Sequence, residues 1–153
     1  VCPFGDIPFR IPIGGPLVDV WVSITSMANC TDNLPPATAI TLQGIYCGDL
    51  TSKALCILVY PPDLTYYPQS SDACRSLCAQ FDDYGQWGEI IRLGRPNVPE
   101  AFHIVAVVTE IGSPASNAFH KYFNDGCKGE WEGLIPPLPP GVTELDAIVV
   151  HTR

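Results

Sequence analysis

The sequence has no long hydrophobic run and few basic side chains, and both shortages exclude broad classes of protein. The longest unbroken apolar segment, residues 54–60, is far short of the ~20 residues that a membrane-spanning helix needs. Only 8 Lys and Arg residues stand against 16 Asp and Glu, which gives a net charge of −8. Because nucleic-acid phosphates require a basic surface, we expect neither a nucleic-acid partner nor a membrane span.

The motifs that mark many catalytic and metal sites are also missing. There is no Gly-x-Ser-x-Gly, His-Glu-x-x-His, P-loop or Gly-x-Gly-x-x-Gly pattern. The histidines His103, His120 and His151 lie far apart, and no Cys-x2-Cys pair suggests zinc. We therefore assign no catalytic residue, no metal and no cofactor from the sequence.

A secreted hydrolase nevertheless remains an alternative. A nuclease would need an acid and a base in one cleft, for which His103 and His120 are the candidates. A glycosidase would need two carboxyl groups, and the candidates are Asp82 or Asp83 with Glu89, and Glu130 with Glu132. Neighbouring residues do not generally face one another, so neither set is favoured.

The cysteines indicate the compartment. A density of 7 cysteines in 153 residues is typical of a disulfide framework formed in an oxidising environment. The chain begins at Val1-Cys2, as a mature secreted protein would, and Asn29-Cys30-Thr31 is a glycosylation sequon. We expect a secreted, extracellular glycoprotein. The final residue, Arg153, fits either a processing site or a genuine terminus.

An odd number of cysteines leaves one without an internal partner. We expect disulfides among Cys2, Cys30, Cys47, Cys56, Cys74 and Cys78, and we expect Cys127, in a polar Gly-flanked loop, to be the odd residue. Cys74 and Cys78 would lie one turn apart on a helix, with Cys47 and Cys56 as natural partners on strands, while Cys2 and Cys30 would tie down the N-terminal arm. The odd thiol is either buried or bonded to another chain.

The prolines and the hydrophobic pattern predict an arm followed by one domain. Prolines at positions 3, 8, 12 and 16 indicate an extended arm over residues 1–16, whose alternating apolar side chains would pack on its own domain or on a neighbouring subunit. Residues 17–153 have the length of a single domain.

Periodicity within that domain predicts strands and two helices. Residues 54–60 and 102–111 are apolar on both faces, as central strands are. Capping residues at Ser70-Ser71-Asp72 and at Ser113-Pro114 predict helices that end near Asp83 and Gly126. Residues 54–151 then follow the order β-α-β-β-α-β, the split βαβ or ferredoxin-like order. We expect an α+β fold, an antiparallel sheet with two helices on one face. This order resembles the small α/β sandwiches of some secreted fungal killer toxins and effectors, a resemblance of fold pattern alone.

Two tryptophans in similar settings suggest a binding surface. Trp87 and Trp131 each follow a predicted helix, lie between glycines and neighbour a glutamate, Glu89 or Glu130. Exposed aromatic rings beside carboxylates suit sugars, although rings that fill the corners of a core would show the same pattern.

These observations favour a secreted non-enzymatic interaction protein, an effector, toxin or defence factor that recognises a protein or glycan partner through its surface. The first alternative is a structural subunit of an extracellular assembly, a possible homo-oligomer that uses the N-terminal arm and the odd cysteine. The second alternative is the secreted hydrolase, whether nuclease or glycosidase.

Overall fold

The chain, seen in a computed structural model that describes residues 20–76 and 78–153, consists mainly of β-strands. In chain order the elements are β1 (Trp21–Ile24), β2 (Thr31–Leu34), β3 (Ala39–Cys47), β4 (Lys53–Tyr60), β5 (Tyr67–Pro68), β6 (Gln80–Phe81), β7 (Gln86–Arg92), β8 (Ala101–Glu110), α1 (Pro114–Cys127) and β9 (Val142–Thr152). The class is broadly α+β. The predicted arm, residues 1–16, lies outside the described residues, so the division into arm and domain stays a prediction.

The strands of the described residues form two sheets, so the predicted single antiparallel sheet is wrong. One sheet has four antiparallel strands in the order β1-β3-β7-β6. The other has five strands in the order β2-β9-β8-β4-β5, in which β2 runs parallel to β9 and the other pairs are antiparallel. Buried side chains on both faces of β4 and β8 confirm that these apolar segments are covered on two sides.

The two faces of the five-stranded sheet carry separate hydrophobic cores. Along β8, Ile104 and Ala106 pack in the core shared with the four-stranded sheet, whereas Val105 and Val107 pack in the core beneath α1. The second core includes Phe119 and other buried residues of the helix. Each such large side chain contributes ~1.5–3 kcal/mol on burial. The layers are therefore sheet, sheet and helix.

The helix α1 begins where its capping residues predict. The Ser113 side chain accepts a hydrogen bond from the Ser116 backbone N–H at 3.2 Å, and Pro114 occupies the first turn, where its missing N–H costs nothing. The predicted second helix is thus confirmed.

The predicted first helix, residues 70–83, is wrong. Among the described residues of this stretch, helical structure is limited to the 3-10 turn Ala73–Arg75, which ends at Ser76 in the left-handed conformation, with φ 52°. The flanking chain bonds to β4 instead: the Ala79 N–H donates to Leu55 O at 2.8 Å. Pairing with a strand edge has overridden a helical pattern that spanned only a few turns. With one α-helix and two sheets among the described residues, the predicted split βαβ order does not form.

The disulfides differ from the expected set. Cys56 pairs with Cys78, and Cys74 pairs with Cys127, each with a Cα–Cα distance of 4.8 Å. The prediction that Cys127 is the odd residue is therefore wrong, because the last turn of α1 lies beside the 3-10 turn that carries Cys74. The Cys74–Cys127 disulfide thus joins the 3-10 turn to α1, and Cys56–Cys78 joins β4 to the segment before β6.

The free thiol among the described residues belongs to Cys47, which was expected to be bonded. Cys47 ends β3 on the exposed face of the four-stranded sheet, opposite Trp21. Cys30 is disulfide-bonded, whereas Cys2, its expected partner, lies outside the described residues.

Candidate functional site

A cleft of about 810 Å³ opens where the two sheets meet along one side of the sandwich. Residues from several elements line it, among them Asp63, Tyr67, Gln69, Arg92, Tyr122 and Trp131. We call this feature the Trp131 cleft. Its volume lies within the range of roughly 300–1,000 Å³ that is usual for small-ligand sites.

The cleft follows an open strand edge. β6 pairs with β7 at Gly88 and Trp87, so the rest of β7 has no strand on that side among the described residues. Two side chains instead accept hydrogen bonds from backbone N–H groups of β7. Glu89 Oε1 accepts from the Ile90 N–H at 2.8 Å, and Gln69 Oε1 accepts from the Arg92 N–H at 2.9 Å. A capped edge of this kind resists adventitious strand pairing.

Gln69 joins the two sheets beneath the cleft. Its backbone N–H donates to Ile57 O on β4 at 2.8 Å, and its Nε2 donates to Tyr67 O at 3.0 Å. Its Oε1 reaches β7, as described above. One side chain therefore ties β5 to β7 and fixes the width of the cleft.

Trp131 lies at the mouth of the cleft with half of its surface free. Its side chain is 51% exposed, and its ring centroid is 5.5 Å from that of Tyr122 in an edge-to-face contact. Its six-membered ring also rests on Gly126, where an added Cβ would come within 2.2 Å of the ring. The indole is thus held on one side and open on the other.

Two tyrosines complete the aromatic wall. Tyr122 is buried, and this burial raises the pKa of its phenol well above the usual value, so the hydroxyl stays neutral at physiological pH. The Tyr67 hydroxyl donates to Asp63 Oδ2 at 2.6 Å, and this hydrogen bond raises the pKa of Tyr67. The wall therefore presents neutral aromatic groups beside a fixed carboxylate.

The charges in the cleft nearly cancel. Arg95 forms an ion pair with Glu100 at 3.4 Å. Asp63 and Arg92 also line the cleft, and the Arg92 guanidinium has no ion-pair partner in the described part of the chain. With two acids and two bases, the cleft does not share the negative charge of the whole protein.

Of the two tryptophans that the sequence suggested as a binding surface, Trp131 lines this cleft and Trp87 does not. Trp87 is only 4% exposed, because its ring fills the space above Gly44, and its Nε1 donates to Ile45 O at 3.1 Å. It belongs to the core between the sheets, so the expectation of a second exposed ring is wrong. Glu130 is exposed and does not line the cleft.

Glu89 is a buried carboxyl group rather than a surface ligand. It is 4% exposed, and its Oε2 has no hydrogen-bond partner among the described residues. Burial raises the pKa of Glu89 to about 7, although backbone N–H groups of Ile90 and Ser71 oppose the shift. The group is thus poised between its neutral and charged forms near neutral pH.

The residues considered for catalysis lie elsewhere. His103 packs edge-on against Tyr60 with a centroid distance of 6.1 Å. His120 lines a separate cavity of about 210 Å³ beside the Cys56–Cys78 disulfide. Among the described residues, neither histidine is part of the cleft lining, and no cluster of three or more His, Cys, Asp or Glu could hold a metal ion.

The sequence interpretation missed Tyr67, Gln69, Arg92 and Tyr122. A signal was present, because residues 60–69 combine three tyrosines and three prolines with polar residues in a short connection. Nothing in that stretch indicates that β7 and α1 lie against it.

No known protein family matches this chain, and no curated protein is similar to it in sequence. In the described part, no helix is long and apolar enough to cross a membrane. The geometry of the cleft is therefore the basis for any functional conclusion.

Proposed function

We propose that this chain is a secreted, disulfide-stabilised interaction protein, of the effector, toxin or defence kind, that binds a neutral oligosaccharide in the Trp131 cleft without a catalytic role. The observation that carries the proposal is the half-exposed indole of Trp131 at the mouth of a cleft with balanced charge. Pyranose rings stack through their C–H faces on such a surface, and the surrounding polar groups bond their hydroxyls.

Extracellular localisation is part of the proposal. The disulfides Cys56–Cys78 and Cys74–Cys127, and the bonded state of Cys30, support an oxidising compartment. Glycosylation at Asn29 is also part of the proposal. The Asn29 side chain is half-buried, and its Oδ1 accepts a hydrogen bond from the Val149 N–H at 2.8 Å.

The decisive experiment is calorimetric titration with cellohexaose and with chitohexaose. We expect at least one to bind, and Trp131→Ala to weaken that binding about tenfold or more, since stacking of an aromatic ring is worth about 1–3 kcal/mol by analogy with base stacking. Trp21→Phe is the matched control, because Trp21 is 40% exposed but is not among the residues that line the cleft.

Two outcomes would count against the proposal. Absence of binding by the unmodified protein to both probes would remove the glycan ligand. Equal weakening by Trp131→Ala and Trp21→Phe would show that the cleft is not where the ligand binds.

A structural subunit of an extracellular assembly is the second candidate, and it is favoured by the exposed thiol of Cys47. Non-reducing mass measurement separates the two. A dimer that disappears on reduction and in Cys47→Ser would support the assembly, whereas a monomer with one alkylatable thiol would leave the binding protein in the lead.

A further inference from the structure

A further cavity, of about 520 Å³, lies on the outer face of the four-stranded sheet. Its floor is Gly88, and the side chains around it include Thr41, Gln43, Gln80 and Gln86. The buried residues Trp87 and Glu89 also border it. We call it the Gly88 trough. Ser71 and Ile90 line both the trough and the Trp131 cleft, so the two cavities adjoin.

The sheet register produces the shape of the trough. Gln43 pairs with Gly88, and Gly88 pairs with Gln80, on three neighbouring strands. Directly paired residues project to the same face, and a strand spacing of about 4.8 Å places the two glutamines about 10 Å apart on either side of the glycine. A Cβ added to Gly88 would meet only Leu42 O, at 3.7 Å, so the space above the floor is open.

The trough presents unengaged amides. In the described part of the chain, the side chains of Gln43, Gln80 and Gln86 form no hydrogen bonds with other residues. Each amide offers two donors and an acceptor. The neighbouring carboxylate of Asp82 already accepts from the backbone N–H groups of Tyr84 and Gln86, at 2.8 and 3.0 Å. The trough therefore suits a neutral ligand with both donors and acceptors.

We infer that the Gly88 trough is a second subsite for the ligand of the Trp131 cleft, and that this ligand is a chain of several neutral sugar units running across the Ser71–Ile90 boundary. The inference rests on the proposed function, and it specifies the length and neutrality of the ligand. One end of the sugar chain stacks on Trp131 in the cleft. The glutamine side chains of the trough form hydrogen bonds with hydroxyl or acetamido groups of sugar units further along the chain.

The test compares a long and a short probe of whichever sugar series binds, cellohexaose with cellobiose or chitohexaose with chitobiose. We expect the hexasaccharide to bind more tightly than the disaccharide. The double variant Gln43→Ala/Gln80→Ala should weaken hexasaccharide binding about threefold to tenfold per hydrogen bond lost, and leave disaccharide binding unchanged. Asn117→Ala, an exposed amide on α1, is the matched control.

A second variant tests the shape of the trough. Gly88→Ala adds a methyl group to the floor with ordinary contacts, and its φ does not favour glycine, so we expect it to fold and to weaken binding of the hexasaccharide alone.

The outcomes separate the two claims. Equal binding of both probes, with Gln43→Ala/Gln80→Ala and Gly88→Ala like the unmodified protein, would overturn the second subsite and leave the cleft intact. Equal loss of both probes in these variants would also overturn it, because the trough would then not be a separate site. No binding of either probe by the unmodified protein would refute the proposed function itself.

Discussion

Glu89 makes the stability of this protein depend on pH in a direction opposite to that of most carboxyl groups. Its pKa rises from 4.5 to about 7 on folding, chiefly through burial. The folded state therefore binds a proton that the unfolded state releases between these values, and stability falls as pH rises through this window. At pH 8 the folded protein carries a buried charge whose Oε2 has no partner.

The substitution Glu89→Gln removes the free-energy cost of burying this charge. A rise in pKa from 4.5 to about 7 corresponds to about 3.5 kcal/mol, because each tenfold change in an equilibrium constant is worth about 1.4 kcal/mol. The amide oxygen can still accept from the Ile90 N–H, but the new NH₂ group gains no partner, and so we expect a net gain of about 1–3 kcal/mol at pH 8. At pH 4, where the carboxyl group is neutral in the folded protein, the gain should vanish.

Urea denaturation at pH 4 and pH 8, followed by tryptophan fluorescence with the disulfides intact, measures the difference. Glu132→Gln is the control because Glu132 is exposed, and it should change the unfolding free energy little at either pH. If Glu89→Gln destabilises the protein equally at both values, Glu89 is not a buried charge at pH 8 and the reasoning is refuted.

Two further perturbations test the fold and the placement of Trp131. Replacing both Cys74 and Cys127 by alanine opens a loop with a sequence separation of 53, and the chain-entropy model gives a loss of about 4 kcal/mol, measurable by urea denaturation; a loss below about 1 kcal/mol would contradict the bond. Gly126→Ala should displace the Trp131 ring, because the new Cβ would lie 2.2 Å from it. We expect weaker oligosaccharide binding with little change in unfolding free energy, whereas unchanged binding would show that the ring does not depend on this contact.

The parts of the fold that the sequence predicts correctly are those set by local signals. The cap at Ser113 and the proline after it define the start of α1, and continuous apolar runs mark β4 and β8 as strands covered on both faces. The helix expected after Ser70 fails because the pairing of Ala79 with β4 is a contact between distant segments. The helical spacing of Cys74 and Cys78 does not identify the cysteine with which each of them pairs.

The candidate site is only partly predictable for a related reason. Trp87 and Trp131 have similar neighbours in sequence, but Trp87 lies opposite Gly44, whose missing side chain makes room for the ring in the core. Trp131 rests on Gly126 at the surface instead. Gly44, which makes the burial of Trp87 possible, is distant from Trp87 in sequence. It is identified as the neighbour of Trp87 by the strand register.

The alternative of a structural subunit in an extracellular assembly remains, but it now rests on a different cysteine. It was expected to use Cys127, which is bonded to Cys74. Its remaining support is the free thiol of Cys47, while the N-terminal arm lies outside the described residues.

The most direct test of the central claim is the response of the three tryptophan indole N–H signals to cellohexaose or chitohexaose in a ¹H–¹⁵N NMR titration. The account predicts that the Trp131 signal, assigned by its loss in Trp131→Phe, shifts in a saturable way. The Trp21 signal should move little, because Trp21 lines neither the Trp131 cleft nor the Gly88 trough. A stationary Trp131 signal while Trp21 shifts, or no shift of any signal with either sugar, would contradict it.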